Sequence, residues 1–428
     1  MELLFGKPPK MHRDVKSGQV NLAVFDSSGI DINEAVRRVL SLPTVANKTF
    51  LITIGDRTIT GLVHRDQMIG PWQVPVADAA VTSTSYNYYT GEAMSMGERT
   101  PLALFNAAAS GRMAIAEAIT NIASSAIDKI GDIKLSANWM VAAGHGHEDA
   151  KLYATVEAVG MELCPQLGIC IPVGKDSMSM RTVWNDGDKR LSNTAPLSLI
   201  VSAFAPVSDI RKTSTPQLQK NSDQSTLLFI DLGHSKNRLG GSALAQVYRQ
   251  LNAEVPDLDD PVDLKNLFAF IQRCRQDDLI LAYHDRSDGG LITTVAEMCF
   301  AGHCGVELQL QGLAEDSSFI SSLFAEELGV VIQVNDEQLE AVTALVVEHH
   351  LKSCFHVIGK LNQSDLINIS IGEEQFFSSS RVELQRIWSE TTYHMQSIRD
   401  NSDCAKEEFD QILPVSYTHL TLPTILLV

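Results

Sequence analysis

Two runs of alternating β-type and helix-type apolar segments, parted by one polar stretch, constrain this chain more than any other feature. In the first run INEAVRRVLSLP (32–43) has helical spacing and TFLITIGDRTITG (49–61) is a β-branched run that stops at polar and glycine residues. A strand is expected from about Val74 to Ser83, then a glycine-bearing loop, YTGEAMSMGERT. PLALFNAAASGRMAIAEAITNIASSAI follows, with Ala or Ile on nearly every side, the signature of a helix packed on more than one face. KLSANWM reads as a strand, DAKLYATVEAVGMELCPQLG as an amphipathic helix, ICIPVGKDSMSM as a strand entering a glycine loop, and APLSLIVSAFAPV as a fully buried strand. The second run repeats the alternation: TLLFIDLG, SALAQVYRQL, LKNLFAFIQRCRQ, LILAYHDRSDGG, LITTVAEMCFAG, VELQLQGL, GVVIQVN and EQLEAVTALVVEHH. Such alternation predicts two α/β (α+β) units rather than one barrel.

The expected division is a first unit over 1–205, a polar, proline-bearing linker over 206–226, a second unit over 227–385 and a further linker over 386–414. The last residues, VSYTHLTLPTILLV (415–428), carry no charge and bear no relation to the acidic helix before them. VSYTHL is also one reading frame of a common sequencing-library adaptor, so this tail is expected to be non-native read-through.

Charge narrows the function. Residues 1–200 hold 18 basic and 20 acidic side chains, and residues 201–428 hold 16 and 32, for a net charge of −18. Without basic clusters such a chain repels phosphate backbones, which argues against nucleic acid and an anionic membrane surface as partners. Small phosphorylated molecules remain compatible where metal ions or backbone N–H groups offset the carboxylates. No apolar run reaches the length of a membrane helix, and the start, MELLFGKPPKMHRDV, has no apolar signal core. The seven cysteines form no CxxC pair and match no zinc pattern, which suits a reducing cytoplasm.

Both LITIGDRTITG and LILAYHDRSDGG end an apolar run in Asp-Arg-Ser/Thr followed by glycine. Ends of strands are where open α/β sheets bind ligands, although an Asp at such a place also caps turns. Asp78, Glu117, Asn121 and Asp285 stand where a side chain would reach a phosphate-bound Mg²⁺, an ion that takes oxygen ligands and only a few from protein. Glu117 and Asn121, four apart, share one helix face; the bland reading puts that face in solvent. PVGKDSMSM is not a Walker loop, because Asp176 follows Lys175 where Ser or Thr is needed. Gly174, Lys175 and Ser177 still offer N–H groups, an ammonium and a hydroxyl, while an ordinary turn explains them as well. His145, His147 and Glu148 are the right types for zinc, yet a loop with acidic residues at a helix start accounts for them.

The motifs DQMIGPWQVPVAD, GEAMSMGERTPLALFNAAASGRMAIAEAITNIA, IKLSANWM, CPQLGICIPVGKDSMSM and LAYHDRSDGGLITTVAEMCFAGHCG closely resemble the large single-chain form of phosphoribosylformylglycinamidine synthase, from about Gly6 to Gln411. The resemblance implies a purine-biosynthetic ligase that converts formylglycinamide ribonucleotide, ATP and glutamine to the amidine, ADP, phosphate and glutamate. It implies tandem aminoimidazole-ribonucleotide-synthetase-like N- and C-domains, with this chain as the second of two such halves. By resemblance that half holds an auxiliary nucleotide, ATP or ADP, with magnesium on Asp78, Glu117, Asn121 and Asp285. Ala77 and Ser287 match nucleotide contacts and Lys48 a phosphate contact. Gly174 and Ser177 match a loop facing the catalytic nucleotide and the substrate phosphate. The smaller form has a metal-binding Asn where Lys175 stands, so that role does not carry over.

The resemblance also places the catalytic histidine in a first half and the glutaminase in a following domain. This chain alone is therefore expected to be inactive. A structural nucleotide-holding scaffold is compatible with that reading, and a free-standing ATP-dependent synthetase of the same fold is the competing one.

Overall fold

The computed structural model describes residues 6, 12, 14–18, 20–55, 57–58, 61–220, 224–251, 253–313 and 319–413. The expected tail at 415–428, and Asp56 of the first Asp-Arg-Thr run, lie outside the described residues. The described residues build two mixed sheets. The strands of the first unit are β1 (Val63–Arg65), β2 (Ala80–Ser83), β3 (Gly91–Glu98), β4 (Lys134–Met140), β5 (Cys170–Gly174), β6 (Arg181–Asp186), β7 (Lys189–Thr194) and β8 (Ser198–Val207). Six of them form a sheet in the order β1-β2-β3-β8-β4-β5, and β6 and β7 form a separate hairpin.

Helix Ala107–Ile122 packs on the inner face of this sheet, capped by Asn106 Oδ1 accepting from the Ala109 N–H at 3.0 Å. Its small residues let it come down onto β3. A Cβ on Gly97 would stand 2.1 Å from the Ala114 carbonyl oxygen, so only glycine fits there. The GEAMSMGE stretch, expected as a loop, is thus the central strand β3, with Gly91, Ala93, Ser95 and Gly97 pointing inward. Glycine, methionine and glutamate have low intrinsic strand preference, and the close approach of the helix selects them. β8 alternates instead of being fully buried, and Phe204 on it and Met96 on β3 are exposed.

Two further expectations are corrected. Thr49–Ile52 is a short helix, and among the described residues no strand follows it before β1. That segment is held by the helix Arg381–Arg399, where the Trp388 carbonyl accepts from Asn47 N–H at 2.9 Å and Thr392 Oγ1 donates to the Asn47 carbonyl. The strand expected from Val74 begins at Ala80, after a turn closed by a bridge between Ile69 and Val74.

The second unit contains β9 (Ser225–Asp231), β10 (Ala282–Asp285), β11 (Gly305–Gln309), β12 (Gly329–Asn335), β13 (Phe355–Asn362), β14 (Leu366–Ile371) and β15 (Glu374–Ser380), ordered β10-β12-β9-β13-β11-β14-β15. Helices Pro261–Gln276 and Leu339–Glu348 pack in one apolar cluster with the first unit, and Gly290–Gly302 in another. Ala35, Val36, Val39 and Leu40 of the helix Ile32–Ser41 join this second cluster beside Trp388. Residues 386–410, expected as a linker, are instead mostly helical, as Arg381–Arg399 and Ser402–Asp410. Burial of Leu384 and Trp388 explains why this amphipathic stretch docks rather than trails. Between β8 and β9 the chain is irregular but pinned: Tyr283 N–H donates to the Thr215 carbonyl and Gln333 Oε1 accepts from Gln219 N–H.

Candidate metal and nucleotide site

The site forms where the two units meet, at the C-terminal end of β10. β10 pairs antiparallel with β12 and delivers His284 and Asp285 at its end. The chain then turns through Ser287, Asp288, Gly289 and Gly290 into helix Gly290–Gly302. Gly289 and Gly290 have φ of 87° and 74°, and a Cβ on Gly290 would lie 2.6 Å from the Leu323 carbonyl oxygen. The paired glycines of HDRSDGG therefore serve a left-handed turn that no other residue fits.

Asp78, two residues before β2, meets this turn from the other unit. Its Oδ1 accepts from His284 Nδ1 at 2.7 Å and from Asp285 N–H at 3.3 Å. His284 Nε2 bonds Glu297 Oε2 at 3.0 Å, so both ring nitrogens are engaged by carboxylates. Burial alone would lower the His284 pKa, but Asp78 and Glu297 hold it well above the ordinary value. Among the described residues, Asp78, His284 and Asp285 are the one group of three or more acidic, His or Cys side chains whose candidate ligand atoms lie within 4.8 Å of one another.

Asp78 Oδ2 and Asp285 Oδ2 are both buried with no hydrogen-bond partner. Two unpaired carboxylate oxygens side by side in the interior are costly unless a cation joins them. Burial, reinforced by Asp78, pushes the Asp285 carboxyl up to about 8. This donor set, all oxygen and surplus in negative charge, suits Mg²⁺.

Glu117 reaches toward the same junction from helix Ala107–Ile122, and Asn121 stands one turn farther along that helix. Glu117 Oε2 accepts from Glu98 N–H at 2.7 Å, and Asn121 Nδ2 donates to the Met96 carbonyl at 3.0 Å. Burial raises the Glu117 pKa well above the usual range; Asp285 and Asp288 add to the rise and Arg99 opposes it. Arg99, absent from the sequence-predicted set, is the main internal counter-charge, 2.7 Å from Asp288 and 2.5 Å from Glu326. Lys48 Nζ donates to the Thr44 carbonyl at 3.0 Å; burial lowers its pKa, with Glu297 and Asp288 resisting. Ala77 N–H donates to the Gln67 carbonyl, and Ser287 Oγ accepts from Asp288 N–H at 2.7 Å.

Gly174 and Ser177 lie elsewhere. β5 is the opposite edge of the first sheet from β1, four strand spacings from β2, or roughly 19 Å. Ser177 N–H donates to the Trp139 carbonyl at 2.8 Å, and Gly174 through Ser177 are exposed. His145, His147 and Glu148 do not converge. His147 Nδ1 sits on the Lys16 carbonyl, while Glu148 accepts from Leu197 N–H and Lys151.

Sequence reasoning missed His284, Arg99, Asp288 and Glu297. All four stand inside quoted motifs, and Arg99 in GERT and His284 and Asp288 in HDRSDGG were available as charged residues flanking a predicted ligand. Glu297 lay in an apolar helix, VAEMCF, where one acid signals a buried partner.

Residues 47–206 match the family model described as FGAR-AT PurM_N-like domain, and residues 228–371 match the C-terminal domain of AIR synthase related proteins. The chain thus carries an FGAR-AT PurM_N-like domain followed by an AIR-synthase-related C-terminal domain. Its tandem PurM-like N- and C-domains correspond to the two sheets described above. Among solved structures, T. maritima PurL complexed with FGAR superposes with a TM-score of 0.59 at 10% identity, over 82% of this chain and 53% of that one. T. maritima PurL complexed with AMPPCP gives 0.56 at 11%, over 82% and 50%, and the complex with ATP 0.53 at 13%, over 83% and 48%. At such identities the likeness is one of fold. This PurM-like chain spans about half the length of those proteins.

Proposed function

We propose that this chain is the second synthetase-like half of the synthase core of a large single-chain phosphoribosylformylglycinamidine synthase, and that it holds an auxiliary ATP or ADP through magnesium. The observation that carries the reading is the pair of buried, unpartnered oxygens on Asp78 and Asp285 at the junction of the two units. Magnesium bound there would neutralise the carboxylates and engage phosphate oxygens. Glu117 and Asn121 add a carboxylate and an amide oxygen to the donor set, Lys48 offers an ammonium to phosphate, and Ala77 and Ser287 line the nucleotide. The PurL complexes with FGAR, ATP and AMPPCP support substrates of that class for the complete enzyme.

In that enzyme formylglycinamide ribonucleotide, ATP and glutamine give the amidine, ADP, phosphate and glutamate. A first synthase half and a glutaminase domain are then partners of this chain. Gly174 and Ser177, remote from the acidic cluster, face the substrate phosphate or the catalytic nucleotide. Seven free cysteines, five of them buried, fit a cytoplasmic compartment.

The half itself holds nucleotide without turning it over. His284 has no free ring nitrogen with which to move a proton to or from a substrate. A free-standing ATP-dependent synthetase is the competing reading. The purified chain is expected to carry nucleotide and magnesium, measured by chromatography and elemental analysis, and to lose both in the Asp78→Asn, Glu117→Gln double variant. Unchanged content in that variant overturns the metal assignment. Turnover of ATP with formylglycinamide ribonucleotide and ammonia overturns the inactive-half assignment.

A further inference from the structure

A polar cavity of about 330 Å³ lies at the start of β10, the end away from the acidic cluster. Its wall brings together Arg65 from edge strand β1, Arg211 and Lys212 from the segment between the sheets, and Arg275 near the end of helix Pro261–Gln276. Among the described residues, the one acidic group lining it is Asp278. On a chain of net charge −18 this concentration of cations needs a reason.

The local pairing leaves positive charge over. Asp278 lies 3.1 Å from Lys212 Nζ, and Asp209 is 2.7 Å from Arg211, which also stacks on Tyr89. Arg65 and Arg275 have no carboxylate partner among the described residues, and the Nε of each is buried without a hydrogen bond. Arg275 is only 5% exposed, and its partners are oxygens of uncharged groups: the Lys212 and Ser125 carbonyls and the Gln272 amide. Burial lowers its pKa to about 10, as befits a guanidinium lacking a counter-ion. Buried charges in folded proteins are ordinarily paired, and removing one partner of a pair is strongly destabilising. Guanidinium groups also match the oxygens of phosphate in planar, two-point contacts.

We propose that Arg65, Lys212 and Arg275 bind a small phosphoryl anion in this cavity, inorganic phosphate or a compact phosphate monoester, with Arg211 at its rim. The occupant joins three parts of the molecule: β1 of the first unit, the connecting segment, and the helix and strand of the second unit. It therefore clamps the two units. Leu281, just before β10, borders the cavity and Asp285 ends that strand four residues on, roughly 13 Å away, so the clamp and the acidic cluster lie at the two ends of β10.

The test is calorimetric and thermal titration of the whole chain with inorganic phosphate and, separately, with ribose 5-phosphate, at constant ionic strength against chloride. EDTA is present throughout, so the acidic cluster cannot hold phosphate through metal. Saturable binding with a rise in Tm is expected, weakened about tenfold or more by Arg65→Gln, a change on a partly exposed edge strand. Lys212→Gln, on the exposed segment, weakens it too, and Asp78→Asn leaves it unchanged. Tighter binding of one probe identifies the source of the phosphoryl group. Absence of binding beyond chloride, or equal affinity in the Arg65→Gln and Lys212→Gln variants, overturns the proposal. That failure would leave the magnesium site standing, since its own test requires metal.

Discussion

Two buried charged networks, one within the second unit and one at its junction with the first, differ in one respect. Around Glu327 the charges are matched: Arg238 Nε lies 2.7 Å from Glu327 and its Nη2 2.8 Å from Asp259, which Lys236 also meets. Arg286 and Asp231 form an adjoining pair, both side chains 1% exposed. At the end of β10, by contrast, Asp78, Asp285, Glu117, Glu297 and Asp288 face Arg99, His284 and Lys48, and two carboxylate oxygens have no partner. Neighbouring residues of one HDRSDGG motif serve both networks: Arg286 the matched one and Asp285 the unmatched one. A network complete in itself holds the fold; one short of positive charge is built around something added later.

The comparison breaks most visibly at Glu327. Glu327→Gln leaves Arg238 short of its buried counter-charge and should cost about 3–5 kcal/mol in chemical denaturation, whether or not magnesium is present. A smaller, metal-dependent effect is expected at the other network. Magnesium with ADP at a hundredfold excess over its Kd should stabilise the native chain by about 2.7 kcal/mol. Asp285→Asn should abolish that gain while leaving the metal-free protein as stable as before or more so. An Asp285→Asn variant that destabilises the metal-free protein as Glu327→Gln does would erase the distinction between the networks.

Proton linkage sharpens it further. Asp285 has a folded pKa raised from its ordinary carboxylate value to about 8, so between about pH 4 and 8 the folded, metal-free state binds more protons than the unfolded one. Stability contributed by its protonated form is present below pH 4 and is lost as pH rises through that window, by at most about 1.4 kcal/mol per unit for one group. His284, also raised, acts in the same direction above its unfolded pKa. Denaturation in EDTA across this range should show the fall, and saturating magnesium should flatten it. Least affected is Ser177→Ala: its exposed loop lies apart from the acidic cluster, and the magnesium–nucleotide gain should stay within about 0.5 kcal/mol of the native chain's.

How much of this was legible beforehand varies by element. Helix Ala107–Ile122, β4, β5 and β9 to β12 were readable because their period is local, whereas β13 to β15 were not expected. β3 was not, because Gly91 to Glu98 form a strand only where a helix of small residues presses on them. Thr49–Ile52 looked like a strand and became a helix turn because Thr392, 345 positions after Asn47, holds the segment. The acids Asp78, Glu117 and Asp285 were identifiable as residue types in suggestive places. His284 and Arg99, which orient and partly neutralise them, were hidden because their partners come from distant parts of the chain.

By itself, then, the sequence determined the alternation that makes two mixed units, the turn chemistry of HDRSDGG and the identity of the oxygen donors. These depend on neighbours a few residues apart. The tertiary structure alone decided which charges meet. Asp78 and His284 are 206 residues apart, and Arg65 and Arg275 still farther, so no local pattern records that one place collects unpaired carboxylates and another unpaired guanidiniums. Burial then turns those meetings into energy, since a charge without a partner is costly only where water cannot reach it.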